Sequence, residues 1–217
     1  MPVIDLSQGD SILNTFVSEL RNIEIQHDAW RFRRNLERIG EIMAYELSKQ
    51  LSYVSKSIQT PMGQHTSGAI DDRLVVATIL RAGLPFHQGF LSCFDRAENA
   101  FVSAYRKYTD KLHFDIHIEY ISSPSIEGKT LILVDPMLAT GSSFELAYAA
   151  LLSRGTPKNV HFASVIAAEA GIAYLRDKFD MDTFHLWCAA IDPDLDHKSY
   201  IIPGLGDAGD LAYGVKM

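Results

Sequence analysis

The sequence predicts an α/β fold, a mostly parallel sheet with helices on both sides, and three observations carry that expectation. From about Leu74 onward, short runs rich in Val, Ile and Leu alternate with stretches of helical length, the pattern of repeated strand–helix–strand units. Leu131-Ile132-Leu133-Val134 is apolar at every position, as a strand covered on both faces has to be. Directly after it come an acid, a turn of small residues and then Phe144 to Leu152, a helical stretch. In folds of this class ligands bind outside the carboxyl ends of the strands, which is where that acid, Asp135, is expected.

Taken in order, the chain opens with an arm, residues 1–52. Ile12, Leu13, Phe16, Val17 and Leu20 fall at helical spacing. From Ala29 to about Ser52 the pattern is a strong helix, with Phe32, Leu36, Ile39, Met43, Leu47 and Leu51 on one stripe that must pack on a sheet or a second subunit. Arg31, Arg33 and Arg34 form a basic cluster on it, either a solvated face or a contact for an anion or a subunit. Tyr53 to Asp72 is polar, with Thr60-Pro61-Met62-Gly63 as a turn, and is expected to be a short hairpin or loop. The α/β core, residues 74–190, has expected strands at Leu74 to Leu80, Ala100 to Ala104, Thr130 to Val134, Val160 to Ile166 and Thr183 to Trp187. Expected helices run from Pro85 to Phe94, Ser143 to Arg154 and Glu169 to Phe179, the middle one stopped by Gly155-Thr156-Pro157. Residues 191–217 follow as a glycine-rich tail. No linker divides the chain, so one domain is expected.

Composition narrows the function classes. A chain of 217 residues with 47% hydrophobic and 22% charged residues suits one soluble globular core with appendages. A formal net charge of -7 speaks against nucleic acid as a main partner, since phosphate backbones call for clustered Lys and Arg. No apolar run approaches the ~18 residues of a membrane span, and the amino terminus lacks a basic-then-apolar leader pattern. Cys93 and Cys188 sit among apolar residues and are expected to be reduced core thiols of a cytoplasmic protein.

The stretch Asp135-Pro136-Met137-Leu138-Ala139-Thr140-Gly141-Ser142-Ser143 has the makings of an anion site. The first N–H groups of the following helix lack internal partners and the helix dipole adds positive potential. Thr140, Ser142 and Ser143 add hydroxyls, and Gly141 lets backbone approach a ligand closely. Asp135 either caps the helix or faces sugar hydroxyls or a metal-bound part of a ligand, because a carboxylate would repel the phosphate itself. A phosphorylated sugar meets both demands. Arg81 and Arg106 follow two other apolar runs. Each is either a charge in a surface turn or a contact for a second phosphate group.

Four patterns are set aside. Gly204-Leu205-Gly206-Asp207-Ala208-Gly209 matches the dinucleotide glycine motif but follows no clear strand and leaves no room for the required acid. Gly128-Lys129-Thr130 imitates a P-loop ending but precedes a strand. Asp192-Pro193-Asp194-Leu195-Asp196 starts like a calcium loop yet lacks its glycine and its final Glu. His113, Asp115, His117 and Glu119 share one face of an alternating strand; they could ligate a metal, but a solvated hairpin face needs fewer assumptions.

The anion-site stretch resembles the phosphoribosyl pyrophosphate (PRPP) loop of type I phosphoribosyltransferases, and its Asp-Pro-Met-Leu-Ala-Thr-Gly form that of the uracil phosphoribosyltransferases. Leu80-Arg81-Ala82-Gly83-Leu84 resembles their diphosphate loop and Tyr105-Arg106 their second diphosphate contact. Tyr200 to Asp210 is similar to their uracil-binding segment almost letter for letter, and the likeness continues through Arg31 to Glu46 and Ala167 to Ala173. The resemblance implies a type I phosphoribosyltransferase-like sheet with residues 191–217 as a small base-binding hood. It implies uracil plus PRPP giving UMP and diphosphate, with Mg2+ held mainly by PRPP and water, and a homodimer or higher homo-oligomer with GTP as a possible effector. By the same resemblance Arg81, Arg106, Asp135 to Ser143 and Asp207 bind PRPP. Ile201, Gly206, Asp207 and Ala208 contact uracil, and Asp207, Arg81 and Asp135 serve catalysis. A glycine-rich backbone can offer N–H, C=O and N–H to the acceptor, donor and acceptor edge of uracil, and cytosine would leave buried polar groups unpaired. Two other outcomes stay open: a UMP- or PRPP-sensing regulator without turnover, and an enzyme for another base. Ser142, Pro85-Phe86, Lys107-Tyr108 and Lys198-Ser199 depart from the family's usual residues.

Overall fold

The computed structural model describes residues 1–108, 114–180 and 182–215, and the side chains of residues 104–118 lie outside that description. The arm comprises β1 (Val3–Asp5), α1 (Ile12–Arg21) and α2 (Ala29–Ser48). Ser11 caps α1 and Asp28 caps α2 through their side-chain oxygens, satisfying helix N–H groups that would otherwise lack partners. A hairpin of β2 (Tyr53–Thr60) and β3 (Gly63–Ile70) follows, then β4 (Leu74–Ile79), α3 (Leu84–Cys93), β5 (Glu98–Tyr108) and β6 (Phe114–Ser122). Beyond these lie β7 (Thr130–Val134), the two-residue β8 (Met137–Leu138), α4 (Ser142–Leu151), β9 (Asn159–Ala168), α5 (Glu169–Lys178) and β10 (Phe184–Asp192). The tail holds β11 (Asp194–Leu195), β12 (Ile201–Ile202) and α6 (Ala208–Tyr213).

The main sheet has the order β1-β10-β9-β7-β4-β5-β6, with β8 added beside β9. Its pairings are parallel except β5 with β6, as the alternating pattern predicts. Side chains of β7 alternate between two cores. Ile132 and Val134 face a cluster holding Leu36, Ile39 and Met43 of α2 and Phe86 and Phe90 of α3. Leu131 and Leu133 face one holding Phe144 and Ala147 of α4 and Leu175 of α5. The long stripe of α2 is therefore covered by its own sheet and by α3, and all its marked residues through Leu51 are buried.

Several expectations change in detail. α2 stops at Ser48, and Leu51 packs from the turn beyond it. The sequence showed no signal for β1, whose partner β10 lies far along the chain. β5 continues through Tyr108, so Arg106 lies within a strand, its backbone opposite Ile116. Cys93 ends α3 with its thiol donating to the Glu41 carbonyl of α2 at 3.5 Å and is exposed, so only Cys188 is a core thiol. Of the candidate ligands, His113 and the side chains of Asp115 and His117 lie outside the description, while Glu119 accepts a hydrogen bond from Ser103. No described helix is long and apolar enough to cross a membrane.

Candidate active site

β4 and β7 are neighbours in parallel register, with Thr78 beside Val134, so the residues that follow them emerge at one edge. Asp135 leaves β7 there. Its N–H donates to the Ala163 carbonyl and its Oδ1 accepts from the Met137 N–H at 3.2 Å. The carboxyl opens partly to a cleft, yet that single N–H is too little to offset its lost hydration, so burial pushes its pKa up to about 7.

The chain then runs along β9 as β8, which turns Leu138 into the core with no exposure. Leu138 can meet a ligand through its backbone alone. Gly141 has φ 85°, a left-handed conformation suited to glycine, and it starts α4. Thr140 and Ser142 hydroxyls lie 2.9 Å apart. Met137, Ala139, Thr140, Gly141 and Ser143 line a recess of about 50 Å³ at the amino end of α4, the size and polarity of a phosphate cradle. Across it, α5 comes so close that a β-carbon on Gly171 would stand 2.3 Å from the Ala139 carbonyl oxygen.

Met137, Ala139 and Ser143 also line the adjoining cleft of about 250 Å³, together with Asp135, Ile201, Gly206, Asp207 and Ala208. The structure thus brings the tail segment over the strand ends. Asp207 caps α6 by accepting the Asp210 N–H at 2.9 Å. Arg81 stands beside it, since a β-carbon on Gly209 would lie 3.2 Å from Asp207 Oδ1 and 4.0 Å from Arg81 Nη2. The Arg81 guanidinium turns toward α6, donating to the Gly214 carbonyl at 3.1 Å and pairing with Asp210 at 3.4 Å, while its Nε is buried without a partner. Arg106 is brought to the same edge only as backbone; its side chain lies outside the description.

Ala82, Ser199, Tyr200 and Gly209, which fell within the quoted segments without a role of their own, also line the cleft. Tyr200 carried a signal, an aromatic ring inside the glycine-rich tail. Of the departing residues, Pro85 occupies the first turn of α3, where it costs no hydrogen bond, and Phe86 is fully buried against Phe90. Ser199 adopts φ 66° at the rim. A larger cavity of about 420 Å³ lies at the opposite end of β4, between the hairpin and Asp95 to Glu98. It holds none of these residues, so size does not locate the chemistry.

A sequence-family model described as uracil phosphoribosyltransferase matches residues 8–215. Uracil phosphoribosyltransferase of Porphyromonas gingivalis is 58% identical over 217 residues, 100% of both chains. That of Pyrococcus furiosus is 37% identical, over 91% of this chain and 84% of its own. The solved structure of the AQ2163 protein from Aquifex aeolicus superposes with TM-score 0.84 at 31% identity, over 99% of each chain. A hypoxanthine phosphoribosyltransferase from Staphylococcus aureus, at TM-score 0.50 and 15% identity over 91% of this chain and 94% of its own, shares the fold alone. A sheet edge that gathers an acid, a phosphate-sized recess and a glycine-rich tail is the setting in which these likenesses belong, and the chain is a member of the uracil phosphoribosyltransferase family.

Proposed function

We propose that this cleft joins the phosphoribosyl group of PRPP to N1 of uracil, releasing diphosphate and forming UMP for pyrimidine salvage. The observation that carries the reading is the shared lining of one cleft by Asp135, by Ala139 and Ser143 of the phosphate recess, and by Gly206, Asp207 and Ala208. The 5-phosphate sits in the recess formed by Ala139 to Ser143, with Pro136, Met137 and Leu138 giving backbone shape to its wall. Asp135 faces the ribose hydroxyls. Arg81 and Arg106 take the diphosphate, Arg81 by leaving Gly214 and Asp210. Residues 191–217 act as a hood in which Ile201, Gly206, Asp207 and Ala208 read uracil through main-chain groups.

During transfer the C1–oxygen bond to diphosphate breaks as the N1–C1 bond forms, and the ribosyl carbon gains positive character between the two. The protein positions the partners and neutralises the departing anion. Asp207 takes or relays the N1 proton. Mg2+ fits this site, because the oxygen donors Asp135 and Asp207 line one cleft without crowding a closed cage, and a hard cation keeping water and substrate oxygens suits such donors. Bound with PRPP, it would offset the charge of the leaving diphosphate. We place the protein in the cytoplasm as a homodimer or higher homo-oligomer with GTP as a candidate effector.

The test is to incubate protein, PRPP and magnesium with each nucleobase and detect the mononucleotide. UMP formed from uracil alone is the expected result. Binding of PRPP or UMP without product would replace transfer with sensing, and product from another base would replace uracil.

A further inference from the structure

The hood cannot hold its place through its own strands, since β11 and β12 are two residues each and an isolated two-stranded ribbon is marginal in water. Its hinge point is Gly204, with φ 58° and no room for a side chain: a β-carbon there would stand 2.1 Å from the Ile201 carbonyl oxygen. Both polar groups of that residue are held by one ion pair. The Gly204 N–H donates to Asp192 Oδ2 at 2.9 Å, and its carbonyl accepts from Arg21 Nη1 at 2.9 Å. Arg21 also forks onto Asp192, with Nη1 to Oδ2 and Nη2 to Oδ1 both at 2.7 Å. Asp192 ends β10 and is 4% exposed, while Arg21 ends α1. A second arm residue supports the far end of the hood, Arg33 donating to the Ala212 carbonyl at 2.7 Å.

We infer that Arg21 and Asp192 are positioning residues for base recognition, so that the amino-terminal helix α1 sets the substrate selectivity of a segment nearly the whole chain away. The inference rests on the reading of the hood as the base site. Main-chain recognition has no side chain that can swing to recover a lost contact. Burial of Leu205 and Ala208 in the core beside α2 fixes these residues on one side, and Gly204, two residues before Gly206 and anchored by the ion pair, fixes the turn that aims Gly206, Asp207 and Ala208. A buried carboxylate that loses its guanidinium is left uncompensated, and Gly204 then loses both anchors together. A shift of about 1 Å in such a contact can cost roughly a hundredfold in rate.

The experiment compares wild type, Arg21→Ala, Arg21→Lys and Asp192→Asn by steady-state kinetics in both substrates and by amide hydrogen exchange. Arg21→Ala is expected to raise KM for uracil roughly ten- to a hundredfold while KM for PRPP moves by less than about threefold. Arg21→Lys, which keeps the charge without the fork, should fall between. Asp192→Asn keeps an acceptor for the Gly204 N–H and serves if the alanine variant folds poorly; it should show the same selective rise, only smaller. Amides of residues 201–208 should exchange faster in each variant, with those of β7 unchanged. Parallel increases in both KM values with faster exchange throughout would mean the pair is merely structural and would overturn the inference, as would unchanged uracil KM and hood exchange. If wild type makes no UMP, the base-transfer reading fails, and hood exchange still decides whether the pair fixes Gly204.

Discussion

Asp135 is a residue whose ionisation the fold has altered, and its consequence for stability has a definite sign. Its folded-state pKa, about 7, lies above the ordinary 3.8 because burial disfavours the charged form. Between those values the folded protein keeps a proton that the unfolded chain has lost, so this group's contribution is full at low pH and declines as pH rises toward about 7. Melting temperature measured from about pH 4 to about pH 7 should fall less steeply in Asp135→Asn than in wild type, and identical slopes would reject the raised pKa. Asp207 offers a separate test. Asn at that position can still accept the Asp210 N–H and cap α6, so Asp207→Asn should retain PRPP binding while turnover collapses. A near-normal kcat would remove Asp207 from proton transfer. For Arg81, the planar fork is the point: Arg81→Lys keeps the charge but should weaken PRPP by about 2 kcal/mol, roughly thirtyfold, if charge-assisted hydrogen bonds are lost, measured by calorimetric titration.

At the scale of elements, the phosphate recess belongs to three pieces of chain, not to one loop. β8 fixes its wall by pairing with β9, α4 supplies the N–H groups, and α5 presses against it from outside. Tyr174 of α5 donates to Glu145 of α4 at 2.5 Å, joining the two helices. Gly171 of α5 packs directly on the loop before α4, so Gly171→Ala forces its methyl against the Ala139 carbonyl. The change should destabilise the protein by about 1–3 kcal/mol and raise KM for PRPP more than KM for uracil; a denaturant melt and initial rates together check it. A stable variant with unaltered PRPP kinetics would show that α5 does not shape the recess.

For the whole molecule, two cores on opposite faces of one sheet make a rigid base with functional segments at one edge. The hairpin of β2 and β3 forms a sheet of its own and stands apart from this arrangement. It exposes Tyr53, Ile58 and Met62, the last at 96%. Apolar side chains on so thin a ribbon call for a covering surface, which the proposed homo-oligomer would supply. Sedimentation should give at least twice the chain mass, and replacing residues 54–69 by a short turn should give a monomer; a monomeric wild type would refute the assembly.

Much of this was legible in the sequence because its causes are local. Leu131 to Val134 alternates between two cores whatever lies beyond, and Ala139-Thr140-Gly141 reads as the tight turn into a helix that it forms, although the short strand β8 before it left no signal. The motif likeness identified Asp207 and Ala208 with no knowledge of what they face. Orientation and partnership were not legible. Leu138 resembles its neighbours in the motif, yet pairing with β9 points it into the core. Arg33 looked like part of a solvated basic face, but only the path of the tail brings the Ala212 carbonyl to it. Cys93 sat among apolar residues and still emerged at the surface, because helix phase decides which face a residue takes. The sequence by itself determined the alternation of strands and helices and the chemistry available at their ends. Tertiary structure alone decided that Arg21, Asp192 and Gly204 meet, since long-range contacts depend on where distant segments are packed, and no local spacing encodes that.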